Sequence, residues 1–167
     1  MNETMSRGIR NNNPLNIRRS ATHWQGAREE QKDKAFVQFK SMAYGYRAAW
    51  KILQSYYERF CNEGKPFTVR NIIERWAPPV DNNTEAYIIQ VLRLASIGGN
   101  ERLLPPSNAS GYGRLSRLIV AMTCIECGIP YADVDTGAVR QGYKLAFPNN
   151  GEKVDEWLMG EDEYRDW

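Results

Sequence analysis

Residues 114–128 read RLSRLIVAMTCIECG, and this stretch decides the class of fold. It is an apolar helical run from about Arg114 to Cys127, longer than a typical strand. Gly128 stands where a left-handed C′ residue belongs, and Pro130 forbids continuation of the helix. Glu126 follows Ile119 by seven residues and Met122 by four, so it borders their buried stripe.

Working outward, the same helical grammar recurs on both sides. Ser41 can cap a helix running to about Asn62, which Gly64 stops; Tyr46, Ala49, Trp50, Leu53, Tyr56, Tyr57 and Phe60 recur at helical intervals within it. Thr68 can cap a short helix from Val69 to Trp76, ended by Ala77-Pro78-Pro79. Asn82-Asn83-Thr84 opens another, with Tyr87, Ile88, Val91, Leu92 and Ala95 on one stripe and Gly98-Gly99 as the expected stop. A last helix is expected from about Asp135-Thr136 to Phe147, weakened by Gly137 and Gly142. Residues 1–16 are polar and rich in turn formers. Short alternating stretches at Ile17–Arg19 and Phe36–Lys40 can pair as a ribbon, which must lean on the helices. The reading is mainly α (α+β), with a small N-terminal β-ribbon.

The whole chain has 167 residues, 42% hydrophobic and 25% charged, a size and composition suited to one globular domain. No stretch approaches the ~20 apolar residues of a membrane span. The net charge of +2 hides an uneven map. Residues 149–167 carry seven acids against two bases, whereas residues 1–148 carry a net +7. The expected organisation is a single domain over 1–148 and an acidic tail over 149–167, with Trp157 and Leu158 able to dock on the body. A net +7 suits an anionic cell-wall polymer. Met1-Asn2-Glu3-Thr4 lacks the apolar core of a secretory signal, so synthesis in a bacterial cytoplasm without a signal peptide is expected. Cys61, Cys124 and Cys127 are an odd number and imply no disulfide framework.

No metal or other cofactor is expected. Cys124 and Cys127 have C-x-x-C spacing, but His23 is the only histidine and no second ligand pair exists. A redox pair usually opens a helix, whereas this one closes it. Small, partly buried thiols are the simpler reading. His23 alone, with no nucleophile elbow, does not support a serine-hydrolase arrangement.

The carboxylates offer more. A helix-ending Glu126 at the edge of the core is partly desolvated, the setting in which a carboxyl serves as general acid for glycosidic cleavage. From position alone the plainer reading, a rim charge bonded locally, outweighs it. Glu74 beside Arg75 reads as a solvated ion pair, and Glu85 as a first-turn charge favoured by the helix dipole. Trp24-Gln25, Trp76-Ala77-Pro78-Pro79 and Asn82-Asn83-Thr84-Glu85-Ala86-Tyr87 combine flat rings with amides, as sugar-binding grooves do. Core packing is the alternative for each ring, and is preferred outright for Trp50 and Tyr56.

Gly8-Ile9-Arg10-Asn11-Asn12-Asn13-Pro14-Leu15-Asn16-Ile17-Arg18, Trp24-Gln25-Gly26, Phe36-Val37-Gln38-Phe39, Tyr44-Gly45-Tyr46-Arg47-Ala48 and Trp76-Ala77-Pro78-Pro79 with Asn83-Thr84 and Tyr87-Ile88 resemble a phage and prophage family. Its members are labelled virion structural proteins and look related to lysozyme-like, peptidoglycan-cleaving proteins. The resemblance covers about residues 7–147. Glu126-Cys127-Gly128 is also similar to the Glu-Ser-Gly motif of lytic transglycosylases, with Cys in place of Ser. Thr84-Glu85-Ala86-Tyr87-Ile88 is similar to their Glu-Thr…Tyr-Val helix. Asn13–Arg19 is similar to their Asn-x-Gly-Pro-Gly-Asn-Val segment, without its glycines. Those enzymes place the catalytic Glu first; here it would come last.

These resemblances imply a lysozyme-like helical domain that binds and cleaves the peptidoglycan glycan strand, with Glu126 as general acid and base. Asn13, Asn16, Trp24, Trp76, Asn83 and Tyr87 are the expected substrate-binding residues. Whether the chain is an enzyme stays open at this point. The alternative is a non-catalytic virion structural or cell-wall-binding protein of the same shape, with other virion proteins as partners. A helical nucleic-acid binder using Arg7, Arg10, Arg18, Arg19 and Arg28 is the third and least favoured reading, since no recognition motif appears. Virion association or delivery to the cell wall follows from the first two.

Overall fold

A computed structural model describes residues 5–155. Its helices are α1 (Arg7–Arg10), α2 (Met42–Asn62), α3 (Val69–Trp76), α4 (Thr84–Ala95), α5 (Tyr112–Cys127) and α6 (Thr136–Ala146). The protein is mainly helical. Four of these helices begin on a side chain that accepts an orphan backbone N–H: Ser41 from Tyr44, Thr68 from Asn71, Asn83 from Ala86 and Asp135 from Ala138. Each such cap stabilises its helix by about 1 kcal/mol.

The bounds differ from sequence expectation at a few ends. Helix α4 stops at Ser96, which takes the left-handed conformation (φ 53°) before Gly98-Gly99 is reached. That turn sends Ile97 back into the core at 5% exposure. Helix α6 ends at Ala146 because Phe147 precedes a proline, which pushes it out of helical space (φ −133°). Helix α1 was not anticipated from the sequence. The expected ribbon is reduced to isolated antiparallel bridges, Arg18 with Phe36 and Ala27 with Phe39. The N-terminal segments are tied instead by Asn13, fully buried, whose amide donates to the carbonyls of Ile17 (2.9 Å) and Val37 (2.8 Å) while accepting from Ile17 N–H (2.8 Å). One side chain there replaces part of a ladder.

Helix α5 lies inside the molecule, with Leu115, Leu118, Ile119, Ala121 and Met122 all inaccessible. Around it the core centres on Trp50, stacked on Tyr112 (5.5 Å) and edge-on to Tyr143 (4.9 Å). The Trp50 indole donates to Val139 O at 3.0 Å, so its polar atom is satisfied in the interior. Helices α2 and α6 pack at close range across Gly142, where a Cβ would lie 2.6 Å from that of Tyr46. Gly142, read from sequence as a helix weakener, is what allows that approach. A smaller apolar cluster, Ile17, Val37, Phe39 and Ala48, seats the N-terminal segment beside α2.

At the far end, residues 151–155 are helical, Val154 is buried at 1% exposure, and Lys144 pairs with Asp155 at 2.6 Å. The start of the acidic tail therefore packs on α6. Docking through Trp157 and Leu158 lies outside the described residues. Among the described residues no helix is long and apolar enough to cross a membrane.

Candidate functional site

Helix α5 delivers Glu126 to its last turn, and Gly128 ends the helix at φ 66°. The half-buried carboxylate meets side chains from three other parts of the chain. Trp76, the last residue of α3, donates its indole N–H to Glu126 Oε1 at 3.3 Å. Tyr87, on α4, donates its hydroxyl to the same oxygen, also at 3.3 Å. Asn16 donates its amide to Oε2 and to the Glu126 carbonyl, both at 3.2 Å.

Local chemistry explains how the three arrive. Asn16 sits at φ 52°, a left-handed position that Asn tolerates better than most residues. The Pro78-Pro79 pair ends α3 immediately after Trp76 and Ala77. The Thr84 hydroxyl then donates to Ala77 O, tying the start of α4 to the end of α3 and setting Tyr87 against Trp76. Burial, with the nearby Glu126 charge, holds the Tyr87 phenol well above its ordinary pKa, so it remains a donor. Burial also pushes the neighbouring Cys127 thiol up to about 11, which makes it a poor nucleophile.

Glu126 opens onto a cleft of about 720 Å³. One wall comes from the N-terminal segment (Asn16, Arg18, Phe36) and another from the end of α3 and the loop after it (Trp76, Pro78, Asp81, Asn82). Ile52 and Tyr56 of α2 join them.

The structure thus gathers Asn16, Trp76 and Tyr87 on Glu126, and distributes the other expected residues elsewhere. Asn13 is inaccessible, its amide committed to Ile17 and Val37. Trp24 packs on the small N-terminal cluster, with its indole nitrogen buried and, among the described residues, without a partner. Asn83 caps α4 and borders a separate depression of about 510 Å³ with Glu74, Pro79 and Glu85. Glu85 pairs with Arg70 at 3.0 Å. The expected Glu74–Arg75 ion pair is not among those of the described residues; Arg75 instead lies over the Tyr56 ring at 5.1 Å.

Sequence reasoning missed Arg18, Phe36, Tyr56 and Asp81 as cleft residues. Trp50 is core, as expected, but Tyr56 both packs against the core and lines the cleft. Its helical spacing could not distinguish the two. Neither do the described residues bring three or more His, Cys, Asp or Glu side chains together in a metal-binding group.

The fold and site define a mainly helical protein with a single glutamate, held by an indole, a phenol and an amide, at the side of an open cleft. No protein-family model matches the chain. Over 101 residues it is 39% identical to Protein P5 of Pseudoalteromonas phage PM2, a match covering 59% of this chain and 61% of that protein. The chain is therefore similar to a phage protein, matched over less than two-thirds of its length.

Proposed function

We propose that this phage-type protein binds the peptidoglycan glycan strand and cleaves it, as lysozyme-like and lytic-transglycosylase-like proteins do. The observation that carries the reading is Glu126, held from three directions at the side of an aromatic-lined cleft. Each carboxylate oxygen has room for about two hydrogen bonds. Oε1 accepts from both Trp76 and Tyr87, whereas Oε2, among the described residues, accepts from Asn16 alone. Oε2 is thus the oxygen with capacity for substrate.

In the proposed reaction Glu126, as general acid, gives a proton to the glycosidic oxygen as the C1–O bond breaks. A hydroxyl or the N-acetyl oxygen of the same sugar closes on C1, so a second carboxylate is not required. When a sugar hydroxyl is the nucleophile, its proton returns to Glu126, which then acts as base. Trp76 and Tyr56 offer flat faces to sugar rings, and Asn82 an amide to their hydroxyls. A lysozyme-like relationship, delivery to the cell wall and association with other virion proteins belong to the same proposal.

Glu126→Gln keeps the size and most of the hydrogen bonding of the site. It should abolish clearing of purified peptidoglycan in a gel assay, with Tm shifted by no more than about 2 °C. A variant as active as wild type would refute the assignment.

A non-catalytic, cell-wall-binding reading is favoured by one feature of the same site. Three neutral donors converge on the carboxylate, an arrangement that also serves a purely structural charge. A wild-type protein that binds peptidoglycan sacculi but never clears them would decide for that reading.

A further inference from the structure

Arg18 and Phe36 form an antiparallel bridge pair. Residues directly opposite in such a pair project to the same side, and both of these line the cleft. The Arg18 guanidinium lies 5.1 Å from the Phe36 ring centroid, and that of Arg7 lies 4.6 Å from the same ring. The two arginines differ in what neutralises them. Arg7 makes a fork-to-fork pair with Asp33, its Nε and Nη2 each 2.7 Å from a carboxylate oxygen. Arg18 is exposed and, among the described residues, has no carboxylate within ion-pair distance.

A guanidinium laid on a ring is oriented by the ring's face and keeps its edge N–H groups free for a planar, bidentate acceptor. Carboxylates fit that fork best. Tyr56, another residue lining the cleft, carries the Arg75 guanidinium over its ring at 5.1 Å, and Arg75 is likewise without an acidic partner among the described residues. Asp81, on the loop after α3, gives the cleft an acid away from the N-terminal wall. The cleft is therefore not uniformly anionic around Glu126, and a ligand carrying carboxylates has a defined place to put one.

We infer that Arg18 is the specificity residue of this cleft. It takes a carboxylate from the peptide substituents of the glycan, so that an anionic, peptide-bearing strand is preferred over a neutral amino-sugar polymer. The inference rests on the glycan-binding reading above and adds the chemical class of strand selected.

Calorimetric titration in the Glu126→Gln background, where the strand is not consumed, tests it. The two ligands are soluble peptide-bearing peptidoglycan fragments and neutral chitotetraose. Adding Arg18→Gln should weaken binding of the peptide-bearing fragment about tenfold, leave chitotetraose within about twofold, and lessen the salt dependence of the former. Arg18→Lys, which keeps the charge and loses the fork, should fall between. An equal loss for both ligands, or no loss for the peptide-bearing one, overturns the inference. Should wild type clear peptidoglycan while Arg18→Gln keeps its full preference, the inference alone fails. If wild type binds neither ligand and clears nothing, the glycan reading fails and the inference falls with it.

Discussion

At the scale of the residue, the distinction that matters is between a polar group committed to the fold and one left available. Asn13 and Asn16 are three positions apart, yet they do different work. Asn13 satisfies three backbone groups in a dry interior, so Asn13→Ala should cost about 3 kcal/mol in urea unfolding while leaving the cleft residues chemically intact. Asn16 spends its amide on Glu126. Tyr87 and Trp76 share the other carboxylate oxygen; Trp76 also lines the cleft, whereas Tyr87 holds Glu126 without needing to touch substrate. Tyr87→Phe removes one donor and keeps the ring. In the proposed glycan cleavage it should lower kcat about tenfold with KM little changed, because it affects the aim of the carboxylate rather than the grip on the strand. A rise in KM with kcat untouched would mean that Tyr87 binds substrate instead. None of these roles is written in the residue types, since Asn13 and Asn16 occupy one short polar run in the sequence.

At the scale of the element, helix identity was largely legible. Thr68 and the Ala77-Pro78-Pro79 break bracket α3 at its observed ends, and Gly128 closes α5 at the expected residue. Caps, prolines and left-handed glycines act within a few residues of themselves, so they can be read locally. The ribbon was not legible in the same way, because strand pairing depends on what lies across the gap. Here the buried Asn13 amide and the small cluster of Ile17, Val37, Phe39 and Ala48 tie the segments, and only isolated bridges form. Gly142 shows the same limit in a helix. By propensity an alanine there would help α6, yet its Cβ would lie 2.6 Å from Tyr46 Cβ and 2.8 Å from Ala43 O. Gly142→Ala should therefore destabilise the protein by about 2 kcal/mol in thermal or urea unfolding, by forcing α2 and α6 apart. An increase in stability would show that the helices can slide to accept the methyl group.

At the scale of the whole molecule, charge couples the N-terminal segment to acid stability. Hydrogen bonds from the Arg7 guanidinium, then from Asn11, hold the Asp33 carboxyl well below the usual carboxylate range. A depressed folded-state pKa means that Asp33 contributes stability above its unfolded pKa of about 4, and that this contribution fades as pH falls below it. Asp33→Asn should be less stable than wild type at neutral pH, and the gap should narrow steadily as unfolding is measured at lower pH. Parallel curves would place the acid sensitivity elsewhere.

The uneven charge map takes a more definite form at this scale. Residues 151–155, which open the acidic stretch, pack on the body, because Val154 is buried and Asp155 pairs with Lys144. By itself the sequence determined the main class of secondary structure, the helix ends marked by caps and breakers, and the placement of Glu126 at the close of α5. Those features depend on neighbours three or four residues away. Only the tertiary structure decided which amides face the cleft, that Tyr56 lies beside it, and that Arg18 enters it on a ring of Phe36. The contacts responsible join residues as far apart as Asn16 and Glu126, and no local pattern records which distant surfaces a packed core will bring together.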